Sequence, residues 1–299
     1  MTPTVPIDRA TVTLAEPPFL PFLDPRTARA PGLSPLAPGA WIVTGPDYAA
    51  QMRLRQRLMA ERPDDVLAIC GGAEDALGEL LSLVIAELDA RAEFGRDAAG
   101  RLIRRDGVAI APDADAPLKT ISSLVAEDFC LLQRVEGEPE YRLTAAALCF
   151  PSRWSLAEKI GHPLTAIHDP VPDYDATLAR RVGRVFDMLA PERPVVRINW
   201  LMHEDPALYQ PAHRPAAQGR GPASGLYLRT EHQTLRRLPR TGAVAFGIRT
   251  HVTPVEALRP AVRAALADGL AALQPDTIDY RIGAEDLAAG RDFIARLVA

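Results

Sequence analysis

The segment from Leu143 to Tyr174 constrains this chain most, because it begins as an apolar run, Ala145 to Phe150, and is cut at Pro151. Proline fixes its own φ and lacks a backbone donor, so no regular element runs through that point. Behind the break, Arg153, Trp154, Glu158, Lys159, His162 and His168 crowd together with Pro163, Pro170 and Pro172. Such a composition is not core alone. Ser155 with Glu158 three residues later has the capping-box pattern and predicts a helix start. Gly161 and Pro163 predict its end near Ile160. The later prolines predict stiff, non-helical backbone around His168. One imidazole on rigid backbone suits a metal or haem ligand; a surface or core histidine in a Pro-rich connection is the structural alternative.

With 299 residues and 47% apolar side chains, the chain can bury a proper core as one large domain or two small ones. A net charge of −4 with scattered Lys and Arg speaks against a nucleic-acid partner. Cys70, Cys130 and Cys149 form no CxxC pair and are odd in number. That speaks against a disulfide framework, a zinc ribbon or a cysteine-held iron–sulfur cluster, and fits a reducing cytoplasm. Asp8, Arg9 and Glu16 interrupt any signal-peptide core, and no run of eighteen apolar residues follows. The expectation is a soluble protein, neither exported nor membrane-bound.

Residues 1–46 carry many prolines with apolar residues between them and read as an arm laid over the surface. A helix is predicted from Asp47 to about Arg62, with Arg53, Arg55 and Arg57 on a solvated face. A second, between Glu74 and Phe94, has the stripe Leu77, Leu80, Leu81, Val84, Ile85 and Leu88. Residues 107–111 predict a short strand. Glu127 and Asp128 enter an apolar run and read as an element boundary, with a catalytic pair as the alternative. Phe129 to Val135 and Tyr141 to Phe150 predict paired strands about a turn at 136–139. A helix follows through Leu178, Val182, Val185, Phe186 and Leu189, then a strand from Val195 to Trp200 with Arg197 facing away from Val196 and Ile198. Residues 201–225 read as a long polar loop, a candidate lid.

Leu228 to Pro239 and Ala243 to Val252 predict a long hairpin about Arg240-Thr241-Gly242. Its first strand is polar on both faces, so either one face lines a polar cavity or the strand is an edge protected by charge. Val255 to Leu273 and Ala284 to Val298 predict closing helices. Without regular βαβ alternation, the pattern points to an α+β fold rather than a doubly wound sheet.

Several of these stretches, taken in order, resemble the haem-dependent oxidative N-demethylase family. They are Glu127-Asp128-Phe129-Cys130-Leu131-Leu132, Cys149-Phe150-Pro151-Ser152-Arg153-Trp154, Glu158-Lys159-Ile160-Gly161, Ile167-His168-Asp169-Pro170-Val171-Pro172-Asp173-Tyr174, Arg197-Ile198-Asn199-Trp200 and the run from Leu228 to Pro239. The likeness runs from about Gly32 to the C-terminus. It implies a PAS-like antiparallel sheet enclosed by helices, with residues 47–299 as one haem-binding domain bearing helical additions. It implies haem b, with His168 matching the histidine that ligates the iron. The implied activity takes a methyl group from a small secondary amine with O₂ and releases formaldehyde.

Electrons would come from separate flavin and iron–sulfur reductase partners, since this sequence has no Gly-rich dinucleotide loop and no cysteine cluster. Charge and placement add Arg197, Arg236 and Arg237 as partners of haem propionates. They also add Glu231 as the group that holds the substrate ammonium or relays a proton. Two positions depart from the family pattern: His232 stands where arginine is expected, and Ala126 where a polar residue is expected. Both bear on the pocket and on substrate choice. Competing readings are a haem-binding PAS-type sensor without turnover, a non-haem metal enzyme using His162, His168 and Asp169, and a structural protein with an unfilled pocket.

Overall fold

The computed structural model describes residues 6–24, 27, 32–135, 137–138, 140–168, 176–212, 225–273, 277, 281–282 and 287–298. The order of elements is β1 (Ser34–Pro35), α1 (Tyr48–Glu61), α2 (Pro63–Val66), β2 (Leu67–Ile69), α3 (Glu74–Asp89), β3 (Gly95–Arg96), β4 (Leu102–Ile103), β5 (Ala109–Ile110), α4 (Pro117–Leu124), β6 (Asp128–Arg134) and β7 (Tyr141–Ala147). Then come α5 (Leu156–Lys159), α6 (Leu164–His168), α7 (Ala176–Met188), β8 (Val195–His203), β9 (Tyr227–Arg237), β10 (Val244–Pro254), α8 (Pro260–Ala271) and α9 (Leu287–Val298). The mixed α+β organisation matches the sequence pattern. None of the described helices is long and apolar enough to cross a membrane.

The main sheet has the order β1-β8-β9-β10-β6-β7-β2 and its pairings are antiparallel. The predicted hairpin is its centre: β9 pairs with β10 from Arg237↔Val244 to Tyr227↔Pro254. On its other side β9 pairs with β8 from Val195↔Leu235 to His203↔Tyr227. An interior position removes the edge-strand reading of β9; the polar residues face inward on both sides of the sheet. Strand alternation places Arg229, Glu231, Gln233, Leu235 and Arg237 on a first face, and Leu228, Thr230, His232, Thr234 and Arg236 on a second.

Helices cover both faces. On the first, Cys130, Leu132, Leu235 and Val244 cluster with Leu156 of α5, Leu164 of α6 and Phe186 of α7. On the second, Phe129, Leu131 and Ala245 pack with Trp41, Met52 of α1, Leu80 and Val84 of α3, and Ile121 of α4. Farther along that face, Trp200, Met202 and Leu228 meet Leu266 of α8 and Phe293 of α9. Gly247 of β10 is needed here. A Cβ would sit 2.7 Å from Thr234 Oγ1 and 3.0 Å from the Phe129 ring, so only glycine lets that ring cross the strand.

Several local expectations change in the folded chain. His168 is not on extended backbone: it closes helix α6, which starts directly after Pro163, and the Ile167 N–H donates to the Pro163 carbonyl at 3.1 Å. Proline is well suited to the beginning of a helix, because the donor it lacks has no intrahelical partner there. Pro170 and Pro172, used in the extended reading, lie outside the described residues. Helix α5 spans the predicted turn and Gly161 takes φ +77° behind it, yet the Ser155 side chain makes no capping bond.

Arg55 is not solvated. It is fully buried and pairs with Asp128 at 2.5 Å, whereas Arg53 is exposed and Arg57 pairs with Glu61. β6 pairs with β10 only from Val244 to Ile248, and α1 lies along β10 beyond that point, where Gln51 donates to the Thr250 carbonyl at 2.9 Å. The helix therefore buries polar as well as apolar positions.

The predicted strand at 107–111 becomes the two-residue β5 in a small three-stranded sheet with β3 and β4. The predicted loop at 201–225 corresponds to the connection between β8 and β9, residues 204–226. β8 runs to His203, Ala207 to Tyr209 are buried, and residues 213–224 lie outside the described ones.

Candidate functional site

The first face carries a continuous polar row across β8 and β9. Arg197 Nε donates to Gln233 Oε1 at 2.6 Å, and Gln233 Nε2 donates to Glu231 Oε2 at 2.8 Å. Asn199 Nδ2 donates to the same oxygen at 3.2 Å, while Arg229 Nε reaches Glu231 Oε1 at 3.3 Å. The sheet register makes this possible, since Arg197 lies opposite Gln233 and Asn199 opposite Glu231. Arg229 and Glu231 are buried, and Arg197 and Asn199 are half-buried, so the row opens on its β8 side. Arg229 also donates to the Phe150 carbonyl at 2.5 Å and the Leu208 carbonyl at 3.2 Å. Burial pulls the Arg229 pKa down and the Glu231 carboxylate opposes that shift. A carboxylate fixed by three donors is preorganised to meet a cation or a proton donor.

The predicted site residues separate into groups. Glu231 and Arg197 belong to this row. Helix α6 brings the backbone of His168 to the same side of the sheet, because Leu164 and Ile167 pack into the apolar cluster on the first face. Arg237 shares the face but lies at the hairpin end. There it donates to the carbonyls of Leu189 (2.8 Å), Phe186 (2.5 Å) and Gly242 (2.7 Å) and to the Tyr141 hydroxyl (3.0 Å). Arg236 is on the second face, with its guanidinium 4.3 Å from the Trp41 ring centre, and burial lowers its pKa.

Glu127 and Asp128 fit the boundary reading. Asp128 opens β6 and accepts from the Cys149 and Phe150 N–H groups, each at 2.8 Å, and from Arg55. Glu127 accepts from the Val43 N–H at 2.7 Å, and burial raises its pKa.

A second polar group was not anticipated. On the second face, Asp47 accepts from His251 Nδ1 at 2.9 Å, from Arg249 at 2.7 Å and from Gln51 at 2.9 Å. Burial pushes the Asp47 carboxyl up, but the His251 hydrogen bond and the Arg249 charge more than offset this and hold it below its ordinary value. Beside this group, Phe19 stacks on His232 at 5.4 Å and tilts over His251 at 5.9 Å. Burial, with His251 and Arg249 nearby, depresses His232 to about 4. The signal was present in part: Arg249 and His251 are two apart on one strand and must share a face. Their partner Asp47, some two hundred residues earlier in the chain, leaves no local trace.

Among the described residues, no group of three His, Cys, Asp or Glu side chains could hold a metal ion. The first face instead offers a half-buried guanidinium beside a buried carboxylate, and apolar cover from α5, α6 and α7. A cation for a propionate and an apolar wall are among the features an iron porphyrin needs. A family model described as haem-dependent oxidative N-demethylase, alpha subunit-like, matches residues 32–286, and the chain belongs to that family.

Proposed function

We propose that this chain is the haem-holding catalytic subunit of an oxidative N-demethylase acting on a small secondary amine. The observation that carries the reading is the Glu231 carboxylate, fixed by Asn199, Gln233 and Arg229 in a buried row that opens at its β8 end. Family membership over residues 32–286 supports it. In the overall reaction the methyl carbon gains a bond to oxygen and loses its bond to nitrogen. One oxygen atom of O₂ leaves in formaldehyde and the other in water, with two electrons and two protons supplied. Haem b, when bound, supplies the activation of O₂ and the oxidation of the methyl carbon.

The chain's own residues bind and orient. His168 would ligate the iron, and Arg197 would pair with a propionate through its planar guanidinium. Arg237 already donates to three carbonyls and Arg236 lies across the sheet, so the propionate role falls to Arg197. Glu231 holds the substrate ammonium and takes its proton, placing the methyl group away from water. In this reading the sheet and its helices form a PAS-like pocket within residues 47–299, and the Pro-rich arm adds Ser34–Pro35 as the edge strand beside β8. The words "alpha subunit" in the family description support separate flavin and iron–sulfur reductase subunits, and the working location is the cytoplasm.

The test is an ultraviolet–visible spectrum of the full chain, expressed with a haem precursor, before and after dithionite. A Soret band that shifts on reduction, and is lost in His168→Ala, is expected. Dimethylamine with a surrogate reductase should then yield formaldehyde. No Soret band even after added hemin overturns the cofactor, and a Soret band without turnover favours a sensor.

A further inference from the structure

Beyond Arg229 on the first face lies a second constellation that the demethylase chemistry does not use. Gln210 Nε2 donates to the Asp205 carbonyl at 2.8 Å and to the Ala207 carbonyl at 2.7 Å. Its amide orientation is therefore fixed, and Oε1 faces His203 Nδ1 at 2.9 Å. An amide oxygen accepts only, so Nδ1 carries the ring proton and Nε2 keeps its lone pair. That lone pair faces the Ser152 hydroxyl at 3.3 Å.

The backbone holds the three residues together. Ser152 and Gln210 form a parallel bridge, the Arg153 N–H donates to the Gln210 carbonyl at 2.7 Å, and the Gln210 N–H donates to the Pro151 carbonyl at 3.3 Å. His203 is 1% exposed, Gln210 is buried and Ser152 is half-buried. Arg153, the next residue, has φ +61°, the one positive value outside glycine among the described residues. Backbone held in that region concentrates at functional sites. The Arg153 guanidinium is anchored on the Met202 carbonyl at 3.1 Å, which fixes a cation beside His203.

We propose that Ser152 is an activated nucleophile, with His203 as its base and Gln210 as the group that orients the ring, and that it accepts an acyl group from a small carboxylic ester. A hydroxyl, a base within reach and a third group fixing the base are the elements of nucleophilic catalysis. In the step, Ser152 Oγ bonds to the ester carbonyl carbon and its proton passes to His203 Nε2. The bond to the leaving alkoxide breaks, and that alkoxide takes the proton from His203. A neutral amide in place of a carboxylate does not offset the charge on the imidazolium, so acylation is slow, and one turn accumulates as the acyl-enzyme because its hydrolysis is slower still.

The purified full chain should be treated with a fluorophosphonate probe and with p-nitrophenyl acetate, then analysed by peptide mass spectrometry. The expected result is a phosphonyl adduct on Ser152 with loss of fluoride, and release of about one equivalent of nitrophenolate per chain. Ser152→Ala should abolish the adduct, and His203→Gln should slow it about a hundredfold.

Because His203 is buried, Ser152→Cys supplies a check that leaves the base in place: the introduced thiol should react with iodoacetamide faster than half-buried Cys70. No adduct on Ser152, a rate unchanged in folded His203→Gln, or an introduced thiol no faster than Cys70 each overturns the proposal. None of these readouts depends on haem, so their failure is separable from failure of the demethylase reading.

Discussion

Along β9, Arg229, Glu231 and Gln233 point to one side of the sheet and Thr230, His232 and Thr234 to the other, and all six are buried. On the second face the polar group is buried around one carboxylate. Asp47, at the start of α1, compensates Arg249 and His251, and Phe19 covers His232. On the first face the row from Arg229 ends at half-buried Arg197 and Asn199. Partners from within satisfy Asp47 and Arg249, whereas His232 Nδ1, His251 Nε2 and Thr234 Oγ1 on the second face are buried with no hydrogen-bond partner among the described residues. The same strand thus carries two differently partnered polar faces, and the direction of each side chain decides which group it joins.

The largest test breaks the second face. Asp47→Ala leaves Arg249 buried without its counter-charge and should cost about 3–5 kcal/mol, read as a lower urea midpoint. Adding Arg249→Met to that variant should recover most of the loss. A wild-type midpoint in Asp47→Ala means that this pair does not hold the second face.

Acid acts on the same face. His232 titrates near 4 in the fold, against about 6.5 in the unfolded chain, so the unfolded state binds more protons between those values. Stability is full above about pH 6.5 and falls as pH drops towards 4, by on the order of 3 kcal/mol from this residue. His232→Phe keeps the stack with Phe19 and should flatten that dependence in urea unfolding at a series of pH values. An unchanged slope would remove His232 as its source.

Two arginines then sharpen the contrast. Arg197→Met should weaken haem loading by about 2 kcal/mol, the worth of a charged hydrogen bond, or roughly thirtyfold in Kd by hemin titration. Arg236→Met should leave haem loading unchanged and lower stability by about 1 kcal/mol through loss of its contact with Trp41. If the two variants exchange these effects, the faces have been assigned the wrong way round.

How much could be read in advance depended on whether the partners were close in sequence. The β9–β10 hairpin, the β6–β7 pair and the stripe of α3 follow from alternation, turn residues and helical spacing, all local quantities. His168 went astray because proline both ends one element and begins the next, and only packing of α6 onto the sheet chose between them. Arg55 looked solvated beside Arg53 and Arg57 because its partner Asp128 lies on strand β6, far along the chain. Arg236 and Arg237 looked alike as neighbours, yet adjacency in a strand guarantees opposite faces.

Residue order alone was enough for the α+β class, the central hairpin and the family likeness. Local periodicity and residue type carry that information directly. Folding had to settle that β9 is interior, that Asp47 meets Arg249 and His251 on one face while Glu231 joins Arg229 and Gln233 on the other, and that His203 lies against Ser152. Each of those outcomes rests on contacts between distant segments, whose geometry is fixed by the packing of the whole chain.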